Sequence, residues 1–193
     1  MNDVSHWSIF INAALVNNFV LAYFLGICPF FGVSSKLDTA VRMGAAVSFV
    51  MLVASVCVFL INILLDAIDA PYLRIISYIM VISSTVQLVE MLMKKLSPAT
   101  FRAMGIYLPL ITTNCAILGL ALFQTNRGYQ FTQSVVFALG AGAGFALALV
   151  LMAGVREKLE LAEVPDLVKG TAAALIVAGI LSMGFMGFAG LGR

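Results

Sequence analysis

The chain has 193 residues, 62% of them hydrophobic and 10% charged, with a formal net charge of +2. A water-soluble domain carries about 25% charged residues, so this composition excludes a water-facing globule and describes an all-α integral membrane protein. The 11 Lys and Arg are scattered through short connections, and none of them forms a run dense enough to bind nucleic acid.

The opening residues MNDVSHW contain no cationic leader, and no small-residue cleavage site follows the first apolar stretch. The N-terminus therefore reads as mature chain, not signal peptide. His6 is the only histidine and lies in this leader, where a metal or base role is not expected; Trp7 suits an interfacial anchor. Six apolar stretches follow at about 8–32, 40–62, 71–93, 102–123, 131–153 and 167–189. Each approaches the ~20 residues that a membrane-crossing helix needs. The expected breaks are Ser34–Lys36, Asp66 to Pro71, Lys94 to Pro98, Asn126–Gly128, and the charged segment Arg156 to Asp166. The runs are too long and too uniformly apolar to be strands. One membrane domain, 1–193, with six transmembrane helices is expected.

Basic residues orient the spans. The connections after spans 1, 3 and 5 hold Lys36, Arg42, Lys94, Lys95, Arg102, Arg156, Lys158 and Lys169, against Arg74, Arg127 and Arg193 on the other side. By the positive-inside rule the first set is cytoplasmic and both termini lie outside. Six spans divide into two groups of three, repeat one at about 8–93 and repeat two at about 102–189, and an odd number per group inverts the second. An offset of 87 residues superposes Cys28 on Cys115 and Gly32 on Gly119. Paired Gly/Pro-interrupted segments in corresponding halves point to a midplane site in inverted-repeat proteins.

Depth sharpens the expectation. In an unbroken helix Cys28 would lie about 30 Å beyond Ser8, near the cytoplasmic face. Cys115 would lie near the middle, 13 residues after Arg102. The thiols meet only if helices 1 and 4 are broken. Gly26 and Pro29 around Cys28, and Pro109 six residues before Cys115, are the residues expected to break them.

Thiolates suit zinc, copper or iron–sulfur centres, but two per chain fall short of the four that an iron–sulfur cluster takes. A centre shared with a second chain is one reading; two small buried hydrophobes is the other. Cys57, without polar or helix-breaking neighbours, reads as packing. Asn17, Asn18, Thr112, Thr113 and Asn114 either support sulfur ligands and freed backbone or act as interhelical glue. Glu90 is placed to pair with Lys94 at i+4 and less suitably as an ion relay. Asp66 and Asp69 are expected in a solvated outer loop. Gly140, Gly142 and Gly144, and equally Gly184, Gly187 and Gly190, read as close helix packing. No hydrolase triad, Walker loop, dinucleotide fingerprint or zinc-protease helix is present.

The stretches VNNFVLAYFLGICPFFGVSSK and LPLITTNCAILG resemble those of the RnfA/NqrE family. These are membrane subunits of the bacterial Rnf electron-transport complex and, more distantly, of the sodium-pumping NADH:quinone oxidoreductase. The resemblance extends through VQLVEMLMKKLSP at 86–98, AGVREKLELAEVP at 153–165 and LSMGFMGFAGL at 181–191, and VNNF with CPF favours the Rnf branch. It implies a subunit of an ion-translocating ferredoxin:NAD oxidoreductase complex in the bacterial inner membrane, inactive alone. It further implies that Cys28 and Cys115 supply half of an intramembrane 2Fe-2S cluster, shared with a homologous RnfE-like subunit of opposite topology. Flavins and other iron–sulfur clusters would sit on the B, C, D and G subunits of the complex. The competing expectations are a secondary transporter with a cavity lined by Asn17, Asn18 and Asn114, and a purely structural assembly subunit.

Overall fold

The computed structural model describes residues 5–68, 71–96, 108–161 and 170–188. Helices account for nearly all of them, and no strand occurs among the described residues. In chain order they are α1 (His6–Ile11, continued by a π-helical turn at Asn12–Val16), α2 (Ile27–Val33) and α3 (Leu37–Ile68). After a 3-10 turn come α4 (Arg74–Leu96), α5 (Leu108–Thr112), α6 (Cys115–Asn126), α7 (Phe131–Leu161) and α8 (Thr171–Met186). Helices α3, α4 and α7 are long and apolar enough to cross a membrane, with mean hydropathies of 2.7, 1.7 and 2.4.

The first apolar stretch is broken, as expected, but earlier and over a longer segment than Gly26 and Pro29 alone require. The backbone leaves helical geometry at Asn17 and resumes only at Ile27. A π-turn starts the departure: the Asn17 N–H reaches back five residues to the Asn12 carbonyl at 2.7 Å. Pro29 falls in the first turn of α2, where its missing N–H has no helical partner to lose. The fourth stretch breaks at Thr113 and Asn114. Pro109 lies inside α5 and does not interrupt it. The interruption is set by Asn114, which caps the next helix.

Two other expectations change. Residues 156–161, read as part of a loop, extend α7 by a further turn and a half. Asp66 belongs to the last turns of α3. It accepts from Asn62 at 3.2 Å and pairs with Arg74 at 2.7 Å across to α4. Asp69, Pro98, Arg102, Lys169, Gly190 and Arg193 lie outside the described residues. Glu90 is half-buried and Lys94 exposed on α4.

Helix α7 is the centre of the packing, held mainly against α3 and, on another side, against α1 and its π-turn. Small residues allow the approach. A Cβ at Gly142 would lie 2.9 Å from Ser48 Cβ, and one at Gly44 would lie 2.9 Å from Ala146 Cβ, so these four form the α3–α7 seam. On the other side, a Cβ at Gly140 would lie 2.7 Å from the Phe10 carbonyl oxygen, and one at Gly144 would lie 2.6 Å from that of Ala14. The GAGAG run therefore packs helices on two faces, as its composition suggests. In the last stretch, Gly184 and Gly187 do not. Nothing approaches within 4 Å of a Cβ at Gly184 or Gly187, and α8 turns Leu175, Ile176, Ile180 and Met183 outward.

Polar side chains inside this bundle bond to one another. Ser55 donates to Gln124 at 2.7 Å while Gln124 donates back to the Ser55 carbonyl at 3.1 Å, joining α3 to α6. Tyr78, fully buried on α4, bonds Asn62 at 3.0 Å and Thr125 at 2.9 Å. The outer surface shows the reverse pattern, with Leu60, Ile63, Leu64, Ile79, Met80 and Leu88 exposed. The core is mostly apolar as well, so it is the surface that departs from the soluble-protein pattern, as a hydrocarbon solvent selects.

Candidate functional site

The non-helical segment 17–26 carries backbone groups that lipid cannot satisfy, and Asn18 meets two of them while tying the segment to its neighbours. Its side chain is wholly buried. Its Nδ2 donates to the Gly144 carbonyl at 2.7 Å and the Ala14 carbonyl at 3.1 Å. Its Oδ1 accepts from the Val20 and Leu21 amides at 3.0 and 3.3 Å. Ser182 on α8 donates to the Leu21 carbonyl at 2.7 Å. Phe19 anchors the same segment edge-on against Phe123 and Phe137, with ring centroids 5.6 and 6.0 Å away. Asn17 does far less, bonding only the side chains of Asn12 and Tyr23.

Two left-handed residues, Phe24 (φ 55°) and Gly26 (φ 77°), then turn the chain onto α6. At Gly26 a side chain is excluded by space as well as by φ. Its Cβ would lie 2.7 Å from the Phe145 ring and 3.1 Å from Asn114 Oδ1. Gly26 is the N-cap of α2 and Asn114 the N-cap of α6, so the two broken elements meet at the starts of their second halves. Between them the Gly26 N–H donates to Cys115 Sγ at 2.9 Å. Cys28 stands two residues further on, and its Cα can be at most about 7 Å from that of Gly26. The offset pair Gly32 and Gly119 follows the same crosswise arrangement. A Cβ at Gly32 would meet Leu110 of α5 at 3.3 Å, and one at Gly119 would meet Leu25 of the first break at 2.6 Å.

Both thiols are exposed on the single chain. Cys115 opens into an apolar groove of about 320 Å³ lined by Leu25, Leu118, Gly119, Leu122 and Phe123. It is the first residue of α6. Cys57 is half-buried in α3, in line with a packing role. Among the described residues, no group of three or more His, Cys, Asp or Glu side chains could hold a metal ion. The donor set offered here is two soft sulfurs and one backbone N–H. It fits half of a thiolate-held centre open to a neighbour, and not a closed site within one chain.

Two residues of the site were invisible as such in the sequence. Arg156 was legible only as an orienting charge. Its guanidinium donates to the Phe31 carbonyl at 2.9 Å and to Ser34 Oγ at 2.8 Å, clamping the end of α2 to α7. Ser182 had no distinguishing signal at all. Neither the groove beside Cys115 nor a second apolar hollow of about 140 Å³ is lined by Asn17, Asn18 or Asn114, the residues expected to line a transporter cavity.

Residues 6–192 match the family model described as "Rnf-Nqr subunit, membrane protein". The chain is 56% identical over 184 residues to the A-type subunit of the ion-translocating oxidoreductase complex of Syntrophotalea carbinolica, covering 95% of each chain. The corresponding protein of Photorhabdus laumondii is 51% identical over 187 residues, covering 96% of this chain and 97% of the relative. That of Serratia proteamaculans is 53% identical over 184 residues, covering 95% of each.

Proposed function

The chain belongs to the Rnf-Nqr subunit family of membrane proteins, and on that premise we propose that it is the A-type membrane subunit of an ion-translocating oxidoreductase complex. In this role Cys28 and Cys115 provide two of the four thiolates of a 2Fe-2S cluster, and a homologous RnfE-like subunit of opposite topology provides the other two. One observation carries the reading: the Gly26 N–H on Cys115 Sγ at 2.9 Å, which draws the two cysteine segments to one place although 87 positions separate them.

When bound, such a cluster would supply a one-electron centre within the membrane. The chain's own residues then have distinct tasks. Cys28 and Cys115 hold the metal, each from the first turn of a half-helix. The Gly26 N–H donates to the Cys115 sulfur. Phe145, buried beneath Gly26, closes the site against water from within. Asn18 and Ser182 keep the irregular segment satisfied so that it holds its shape in hydrocarbon, and Arg156 fixes the far end of α2.

The same reading has six spans as two inverted repeats in the bacterial inner membrane, with both termini periplasmic. The charge distribution and the crosswise Gly32 and Gly119 contacts support it. The complex would exchange electrons between ferredoxin and NADH with ion movement, using flavins and further iron–sulfur clusters on its B, C, D and G subunits. Iron and acid-labile sulfide in the purified complex provide the test. Cys28→Ser and Cys115→Ser should each remove about two iron and two sulfide per complex. Wild-type content in either variant rejects the ligand assignment.

A further inference from the structure

Asn114 has a feature that capping does not use. The residue is 4% exposed, and its Nδ2 is a buried donor without a partner. Its orientation is settled by its other end. Oδ1 faces the Ala116 N–H at 3.0 Å, and because that neighbour is a donor, the facing atom must be the oxygen. The amide is thus locked at the start of α6, immediately before Cys115, with its Oδ1 3.1 Å from the Cβ position of Gly26. A buried polar hydrogen left unmet is rare and asks for a missing acceptor. Within this junction of the two cysteine segments, the chemistry that would supply one is anionic sulfur.

We propose that Asn114 Nδ2 is a second hydrogen-bond donor to the sulfur of the shared centre, beside the Gly26 N–H, and a positioning residue that raises the centre's reduction potential. The inference rests on the cluster reading above. Donors on sulfur stabilise the more negative, reduced state, so their removal lowers the potential. A capping role alone would leave it unchanged.

The variants Asn114→Ser and Asn114→Asp both retain an oxygen acceptor for the Ala116 N–H and lose the amide donor. Redox titration of the cluster's EPR signal in the intact complex separates the possibilities. Asn114→Ser should shift the one-electron equilibrium about tenfold toward the oxidised form, a fall of ~59 mV, with iron content kept. In the wild-type complex with ¹⁵N-labelled asparagine, pulsed EPR should detect a side-chain amide nitrogen coupled to the reduced cluster. An unchanged potential in Asn114→Ser overturns the inference while leaving the cluster reading intact, and so does a shift confined to Asn114→Asp, which would report added charge only. If the Ser variant does not assemble, the wild-type spectrum decides, and absence of the nitrogen coupling overturns the inference. A wild-type complex without any cluster signal rejects the cluster reading itself.

Discussion

Replacing Asn18 by the near-isosteric Leu gives a worked test of how the broken first segment survives in a membrane. The substitution preserves shape and removes four hydrogen bonds. The Gly144 carbonyl lies within α7, so losing a second partner there matters little; the Ala14 carbonyl ends its helical turn and loses the partner that Asn18 supplies. The Val20 and Leu21 amides are different: each is a buried donor whose acceptor in this structure is Asn18 Oδ1. Leaving one buried donor unsatisfied costs about 1–3 kcal/mol, so the pair should cost about 2–6 kcal/mol. Its neighbour Asn17 makes only side-chain contacts with Asn12 and Tyr23. Such bonds within membrane bundles average about 0.6 kcal/mol, and Asn17→Leu should therefore cost under about 1.5 kcal/mol. Unfolding of the intact complex in graded SDS, followed by subunit dissociation, measures both. Comparable losses for the two variants would show that Asn18 acts as ordinary interhelical glue and that the broken segment draws its stability from elsewhere.

Further outcomes follow from contacts on α7, α2 and α4. Gly144→Ala should destabilise by about 1–3 kcal/mol or more through overpacking, because its Cβ would lie 2.6 Å from backbone. Gly154→Ala on the same helix meets nothing within 4 Å, so it should be neutral or stabilise by up to about 1 kcal/mol; thermal melts of the purified complex compare them. Arg156→Gln should cost about 1.5–3 kcal/mol, as expected for bonds to a charged donor, and should lower bound iron per complex by loosening α2; Arg156→Lys should recover part of both. Tyr78→Phe should cost about 0.5–1.5 kcal/mol in the same melts and leave iron unchanged, since Thr125 keeps its bond to the Ala121 carbonyl.

What could be read in advance follows from which physics is local. Apolar length and the distribution of Lys and Arg are properties of windows, so the helical class and the segment limits near Leu37, Arg74 and Phe131 were legible. The breaks were legible in kind and, at Gly26, in cause as well; the other causes were missed. Prolines drew attention to Pro29 and Pro109, yet both lie within helical segments, where the helix tolerates them. The interruptions depend on capping by Gly26 and Asn114 and on a π-turn at Asn12–Val16; the Asn114 cap and the π-turn bond within their own segments, whereas Gly26 draws on Cys115 of another helix. Long-range contacts of that kind were out of reach. Nothing local distinguishes Ser182 from any other small membrane residue, or tells that Arg156 reaches back to Phe31. The two glycine runs make the point most directly. GAGAG in α7 faces backbone on two sides, whereas Gly184 and Gly187 face open space, and composition treats them alike.

The whole account turns on what occupies the space between the two cysteine segments in the assembled complex, and a cryo-EM map of that complex reports it directly. Compact density heavier than carbon should bridge Cys28 and Cys115 to two sulfurs of the neighbouring subunit, with the Gly26 N–H still on Cys115. Side chains turned away from one another, with lipid or plain apolar packing between the chains, would contradict it.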